Sequence, residues 1–434
     1  MARVSVALEV LNVLALDAEG RGVARNAQGK VVFVEGALGG ETVVAQQLRD
    51  KRKFDLARAT RVLEPSFGRR EPRCPYFGRC GGCATQHADT RTQMAAKQRG
   101  LEDCLSRIGK VRPESLLPIV YGAEWGYRRR ARFSARYVEN KGGAMVGFRE
   151  RRSSFVADMK GCEVLPPEIS ALIVPLRELV AALSVRERLP QIEVAAGEGG
   201  TVLLFRHLAP LNADDKVLVR EFAERHRVNA WLQPEGQDSA KPFWPEAHEP
   251  LYYELPEFGL RVSFLPSDFT QVNFGVNRVL VSRALRLLDP RPGERIADLF
   301  CGLGNFTLPI AVRGAEVIGF EASRPLIERA RQNALANNVV AQFELADLFK
   351  PNIGHFERFD KFLIDPPREG AAGVVHGLPD EWPRRIVYVS CDPATLARDA
   401  DTLVNAKGFR LVSAGVVNMF PHTAHVESIA LFER

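Results

Sequence analysis

From about residue 266 onward, short apolar runs alternate with stretches of helical spacing. The runs are Arg295 to Phe300, Val317 to Glu321, Lys361 to Asp365, Ile386 to Ser390, Leu411 to Val417 and Val426 to Phe432, with helices expected over Pro325 to Ala336 and from Ala394. Such alternation predicts a mainly parallel sheet with helices on both faces, a fold that binds ligands at the carboxyl ends of its strands. The residues that end those strands are therefore the first place to look for chemistry. Asp298, Glu321, Asp347 and Asp365 all stand there, so four acids are expected to face one crevice.

The first of these strands runs into Asp298-Leu-Phe-Cys-Gly302-Leu-Gly304-Asn305-Phe-Thr307. Glycines in such a turn let a ligand approach the backbone, and an acid ending the next strand, here Glu321, can accept hydrogen bonds from ribose hydroxyls. The dinucleotide pattern is incomplete because Thr307 stands where its last glycine belongs. S-adenosylmethionine, with a ribose and a cationic sulfonium, suits an acid-lined crevice better than a pyrophosphate does. Further on, Cys391 lies between a strand and a helix that Asp392 would cap and Pro393 would begin. A helix N-terminus there is expected to favour thiolate, the nucleophilic form. Glu427 opens the last strand, where a partly desolvated carboxylate could serve as a general base. Spacing alone does not select it.

Residues 1–63 read as short alternating strands separated by glycine turns, beginning with Val4 to Leu11, which suggests a small closed β-barrel of a kind often used for nucleic acid. Pro65, Pro72 and Pro75 punctuate a linker into Cys74, Cys80 and Cys83, a C-x5-C-x2-C array. Seven cysteines is an odd count, so metal ligation explains the array better than disulfides, and spacing leaves zinc open. Residues 88–108 are expected to be helical, with Met94, Leu101, Leu105 and Ile108 on one face. Strand-like runs dominate from about 110 to 265. Residues 49–79 hold ten Lys or Arg against four acids, and residues 128–160 hold ten against three. Two such concentrations, in a chain of net charge +6, suit a polyanion-binding face or a solvated basic surface. No apolar run approaches the roughly 18 residues of a membrane span, and no secretory signal begins the sequence, so a cytoplasmic protein is expected.

These motifs together resemble the RNA uracil-C5 methyltransferases over nearly the whole chain. The resemblance is carried by Gly20-Arg-Gly-Val-Ala-Arg25 and Lys30-Val-Val-Phe-Val34, by the cysteine array with Cys162 in Lys160-Gly-Cys162, and by Asp268-Phe-Thr-Gln271-Val-Asn273, Asp298 to Asn305 and Asp365-Pro-Pro-Arg368. It implies a multidomain α/β protein: a TRAM-type, OB-like barrel over 1–63, a mostly β central domain over 64–265 carrying an iron–sulfur cluster, and a Rossmann-like S-adenosylmethionine-dependent methyltransferase domain over 266–434. Helix 88–108 would pack on the last of these. The resemblance further implies that Gln271, Phe300, Asn305, Glu321, Asp347 and Asp365 contact S-adenosylmethionine, and that Cys74, Cys80, Cys83 and Cys162 ligate a [4Fe-4S] cluster. Cys391 would be the nucleophile that adds to uracil C6, and Glu427 the base that removes the C5 proton.

Within the family, a leading barrel together with a cysteine cluster points to an enzyme of 23S ribosomal RNA; because the target base must leave its stack, a single-stranded or refolded uridine-containing element is the expected substrate, and a monomer with no protein partner is expected. Another 23S or transfer RNA uridine is the alternative, as is a non-catalytic RNA-binding iron–sulfur protein. The family's usual Ser-Cys-Asn-Pro is Ser-Cys-Asp-Pro here, so Asp392 is expected to put a negative charge beside Cys391.

Overall fold

A computed structural model describes residues 8–139, 143–350 and 358–434; the first four residues of the strand expected from Val4 lie outside these. The chain opens with β1 (Leu8–Leu16), β2 (Gly22–Arg25), β3 (Val31–Glu35), β4 (Thr42–Asp50) and β5 (Phe54–Glu64), closed into a barrel in the order β1-β2-β3-β5-β4. Alternate residues point inward, and Leu11, Val13, Val32, Val34, Val43 and Ala45 fill the interior. Register shifts bend β4 around β5 and help closure. In the sequence β5 is masked by charge, because its outward positions include Arg58 and Arg61.

Residues 65–89 then cross to α1 (Thr90–Arg107), where the Asp89 side chain accepts from the Thr92 N–H and caps the helix. The buried stripe of α1 is Gln93, Lys97, Leu101 and Leu105, not the stripe expected through Met94 and Ile108. Ile108 is 45% exposed. The spacing is the helical i, i+4, but two polar residues occupy the buried line and disguise it. Leu101 and Leu105 share a core with Ile386, Tyr388 and Leu396 of the C-terminal unit, so the helix packs there.

The next strand, β6 (Ser115–Leu116), also joins the C-terminal sheet. The central unit proper is a six-stranded sheet of β7 (Arg130–Val138), β8 (Gly143–Gly147), β9 (Gln191–Gly197), β10 (Gly200–Arg206), β11 (Asn229–Gln233) and β12 (Lys241–Trp244), ordered β12-β11-β10-β9-β7-β8. It is less purely β than expected. After the short α2 (Pro167–Ser170), the helices α3 (Ile173–Ala182) and α4 (Ala213–His226) pack Ile173, Leu176, Val219 and Phe222 onto the sheet residues Phe133, Ile192 and Phe205. A capping box between Asn212 and Asp215 starts α4, a local signal that the strand-rich surroundings obscure.

A hairpin of β13 (Leu251–Leu255) and β14 (Leu260–Phe264) leads into α5 (Phe274–Leu288). The alternation that follows is β15 (Arg295–Leu299), α6 (Thr307–Val312), β16 (Glu316–Glu321), α7 (Arg324–Ala336), β17 (Gln342–Leu345), β18 (Lys361–Ile364), α8 (Ala372–Gly377), β19 (Arg385–Ser390), α9 (Pro393–Asp401), β20 (Arg410–Val417) and β21 (Glu427–Glu433). The sheet order is β17-β16-β15-β18-β19-β21-β20-β6. The strands from β17 across to β19 are parallel, whereas β21 runs antiparallel to both β19 and β20. The start of β21 therefore lies at the same sheet edge as the ends of β15, β16, β18 and β19. No helix among the described residues is long and apolar enough to cross a membrane.

Candidate active site

The turn after β15 is built from left-handed backbone: φ is 65° at Phe300, 54° at Gly302 and 89° at Gly304. For Phe300 this costs about 1–3 kcal/mol, a strain tolerated where the surroundings enforce it. A Cβ on Gly302 would meet nothing within 4 Å, so that side of the turn is open to a ligand. Glu321, at the end of β16, is fixed by two backbone donors, Gly302 N at 3.2 Å and Ser323 N at 3.0 Å. Asn305 is held by an amide pair: it accepts from Asn277 Nδ2 at 2.9 Å and donates to Asn277 Oδ1 at 3.1 Å, while Tyr253 Oη donates to it at 2.9 Å. Asn277 and Tyr253 carry no sequence signal, because each sits on an element that reads as core.

Asp298 is fully buried, and Thr307 donates to one of its oxygens. The other oxygen has no partner among the described residues. Burial pushes this carboxyl up to about 7, with Glu321 adding to the shift. Asp365, directly after β18, is also raised by burial and then by the charges of Glu427 and Asp298. Asp347 lies exposed past the end of β17, with Lys350 Nζ at 3.3 Å, and the Phe300 ring meets Phe349 edge-on at 5.7 Å. Gln271 is half-buried in the stretch before α5, and no hydrogen bond joins it to the other residues of the crevice among the described residues. An acceptor-rich lining with an orphaned carboxyl oxygen fits a ligand that offers hydroxyls and a positive charge.

The register Ser390↔Ser428 places Cys391, just past the end of β19, beside Glu427 at the start of β21. The thiol is not activated as the helix position suggested. Cys391 is pushed up to about 12, first by burial and then by the charges of Glu427 and Asp365, with Arg368 only partly opposing them. Desolvation and two acids outweigh the helix dipole, whose effect is typically below about 1 kcal/mol. The carboxylate of Asp392 is engaged by the helix it caps. Its Oδ1 accepts from Ala394 N at 2.8 Å and Thr395 N at 3.3 Å, so its charge caps α9. That charge bears on Cys104, a thiol raised first by burial and then by Asp392.

Glu427 is buried, with His425 Nε2 at 3.8 Å. The segment leading to it is strapped down from several directions. Lys97 Nζ donates to Asn418 Oδ1 at 2.8 Å and Phe420 O at 2.9 Å; Gln93 Oε1 accepts from His422 N at 2.8 Å; Tyr127 Oη donates to Pro421 O at 2.9 Å. The backbone N–H groups of Ala84 and Thr85, next to Cys83, both donate to His422 O, at 2.8 and 3.0 Å.

Cys74, Cys80, Cys83 and Cys162 line one cavity with Tyr76, Phe148 and Met159. Burial raises all four thiols, Cys83 to about 11 and Cys162 to about 12. Among the described residues no three ligating side chains converge tightly enough for a single metal ion. A second, larger cavity lies between the central sheet and the stretch before α5, bordered by Arg128, Arg132, Arg206 and Phe269, the last 73% exposed. The guanidinium of Arg130 there donates to the carbonyls of Pro266 and Asp268, so this arginine joins the two units and is not free for a phosphate.

A family model described as tRNA (Uracil-5-)-methyltransferase matches residues 259–355 and 352–434. The 23S rRNA (uracil(1939)-C(5))-methyltransferase RlmD of Thiobacillus denitrificans is 62% identical over 430 residues, covering 98% of this chain and 99% of the relative. The protein of the same name from Nitrosospira multiformis is 59% identical over 426 residues, covering 96% and 97%. The crystal structure of Pyrococcus abyssi tRNA (uracil-54, C5)-methyltransferase with S-adenosyl-L-homocysteine matches 98% of this chain and 99% of its own with a TM-score of 0.76, a likeness of fold at 24% identity. With majority identity over nearly the full length of both relatives, the chain belongs to the RlmD family of 23S rRNA (uracil-C5)-methyltransferases.

Proposed function

We propose that this protein methylates C5 of a uridine in 23S ribosomal RNA, with Cys391 as nucleophile and Glu427 as base. The observation that carries the reading is the meeting of these two residues, on antiparallel neighbours β19 and β21, at the mouth of an acid-lined crevice. Uracil C5 is too weak a nucleophile to be alkylated directly. Addition of Cys391 Sγ to C6 moves the C5=C6 pair into an enolate and makes C5 nucleophilic. S-adenosylmethionine, held by Phe300, Asn305, Glu321, Asp347, Asp365 and Gln271, supplies an electrophilic methyl group: the C5–CH3 bond forms as the S–CH3 bond breaks, its pair leaving on the cofactor sulfur to give S-adenosylhomocysteine. Glu427 then takes the C5 proton, the C–H pair re-forms C5=C6, and the C6–Sγ bond breaks with its pair leaving on sulfur. The base must leave its stack to reach this edge of the sheet, so the substrate is a single-stranded or refolded element.

The same reading assigns the TRAM-type barrel and the arginine-lined cavity to RNA, and the four cysteines to a [4Fe-4S] cluster. Four thiols lining one cavity support a group that they hold in common. The protein would act as a cytoplasmic monomer.

Incubation with uridine-containing 23S RNA and S-adenosylmethionine, followed by a denaturing gel, tests the catalytic pair. Glu427→Gln should accumulate a covalent RNA adduct, and Cys391→Ala should show neither adduct nor methylated product. A persistent shifted band from Cys391→Ala would sink the assignment.

A further inference from the structure

The turn between β1 and β2 carries a glycine that an RNA-binding barrel does not by itself account for. Gly20 is buried, with φ at 74°. A Cβ placed on it would meet Thr85 Cγ2 at 2.8 Å, Ala84 Cβ at 3.5 Å and Ala424 Cβ at 3.6 Å, none of which belongs to the barrel. Ala84 and Thr85 follow Cys83, and Ala424 stands three residues before Glu427. A barrel that only gripped RNA would need no bare glycine wedged between these two segments. We propose that Gly20 is a positioning residue: through it the barrel seats the cysteine loop against the segment that leads to Glu427 and so holds the base in place. This rests on the assignment of Glu427 given above.

The contact is stiff on both sides. In the turn, the Asp17 carboxylate accepts from Glu19 N at 2.9 Å, Arg21 N at 2.8 Å and Arg21 Nε at 2.7 Å. Gly20 N donates to Asp17 O at 3.0 Å, and Asp17 N to Arg21 O at 2.8 Å, so the turn has no slack. The barrel is also anchored elsewhere: Arg69 donates to both oxygens of the buried Glu41, at 2.5 and 2.7 Å, and Arg152 of the central unit pairs with Glu35 at 2.9 Å. On the other side Thr85 is 5% exposed, and its β-branched side chain has little rotameric freedom. Anything that thickens the turn therefore displaces residues 84 and 85, because a close-packed interior transmits strain. Their N–H groups hold His422 O, so the displacement passes along Thr423, Ala424 and His425 to Glu427. Cys391 comes from β19 and lies outside this line of contacts. The turn should thus govern resolution of the covalent adduct and not its formation.

The test is steady-state methylation by the full-length enzyme, with adduct followed on the denaturing gel. Gly20→Ala should lower kcat by about tenfold, part of what a 1 Å misplacement can cost, and leave KM for RNA unchanged. Adduct should accumulate in the same variant. Only the Thr85 methyl is closer than ordinary contact, so Gly20→Ala/Thr85→Ser removes the clash and should restore both readouts. Gly293→Ala imposes the same left-handed strain, at φ of 80°, where a Cβ meets nothing within 4 Å, and should turn over as wild type does. A Gly20→Ala enzyme with wild-type kcat, a raised KM alone, a loss matched by Gly293→Ala, or one that Thr85→Ser does not relieve overturns the proposal. Should Gly20→Ala not fold, Gly20→Asn brings the same Cβ on a residue that tolerates the left-handed region, and the same outcomes decide. Glu427→Gln run alongside separates the two readings. Absence of adduct there strikes the assignment of Glu427, whereas adduct there with wild-type turnover in Gly20→Ala strikes the role of Gly20.

Discussion

Single side chains in the crevice are set against their solution preferences, and Asp298 shows this most plainly. It is fully buried with one oxygen unpartnered, and burial raises it to about 7. A carboxyl raised on folding contributes stability below its ordinary value, near 3.9, that is lost as pH rises through the folded value. Between about pH 4 and 7 the ligand-free protein should therefore lose stability relative to Asp298→Asn, by at most about 4 kcal/mol. Urea midpoints across that window read the difference, and parallel curves would refute it. The acid itself is legible in sequence because it ends an apolar strand. Glu427 is not, since its place beside Cys391 depends on β21 running antiparallel to β19, a pairing that no local pattern encodes. Lys97 is less legible still: its acceptor Asn418 is 321 residues away.

Among the elements, α9 joins the proposed nucleophile to the fold. Its cap is Asp392 where the family usually has asparagine, and both caps hold the first helical N–H groups equally well. Asp392→Ala should cost about 1 kcal/mol and Asp392→Asn almost nothing, as thermal midpoints would show. A large loss in Asp392→Asn would mean that the carboxylate does more than cap. The strands and helices of this domain are readable because each has a period of its own. The buried stripe of α1 is legible at Leu101 and Leu105 but not at its polar end, where Gln93 and Lys97, satisfied by a distant loop, take the line instead of Met94.

Across the molecule, the cysteine loop and the sheet edge that carries Cys391 and Glu427 are mechanically continuous. Ala84 and Thr85, just after Cys83, hold the carbonyl of His422, and His422 begins the approach to Glu427. Anaerobically purified protein should show broad visible absorption, and bleaching it with a chelator should slow resolution of the adduct as well as weaken RNA binding. Bleached protein with unchanged adduct resolution would break that link. The two ends of this connection lie far apart in sequence, which is why the cysteine array alone suggests a separate module.

The interleaving of the halves has a consequence for biosynthesis. Leu101, Leu105 and the edge segment at β6 leave the ribosome long before Ile386, Leu396 and β20, against which they pack. During that interval the apolar stripe of α1 has no surface to cover it, and contacts this distant form slowly. A nascent chain stalled near residue 380 should bind holdase chaperones through α1 and release them only when β19 to β21 emerge. Conversely, a fragment cut at 266 would leave the edge of β20 uncovered and prone to pair with another copy. The methyltransferase half is thus last to be made and cannot be finished without the part made first.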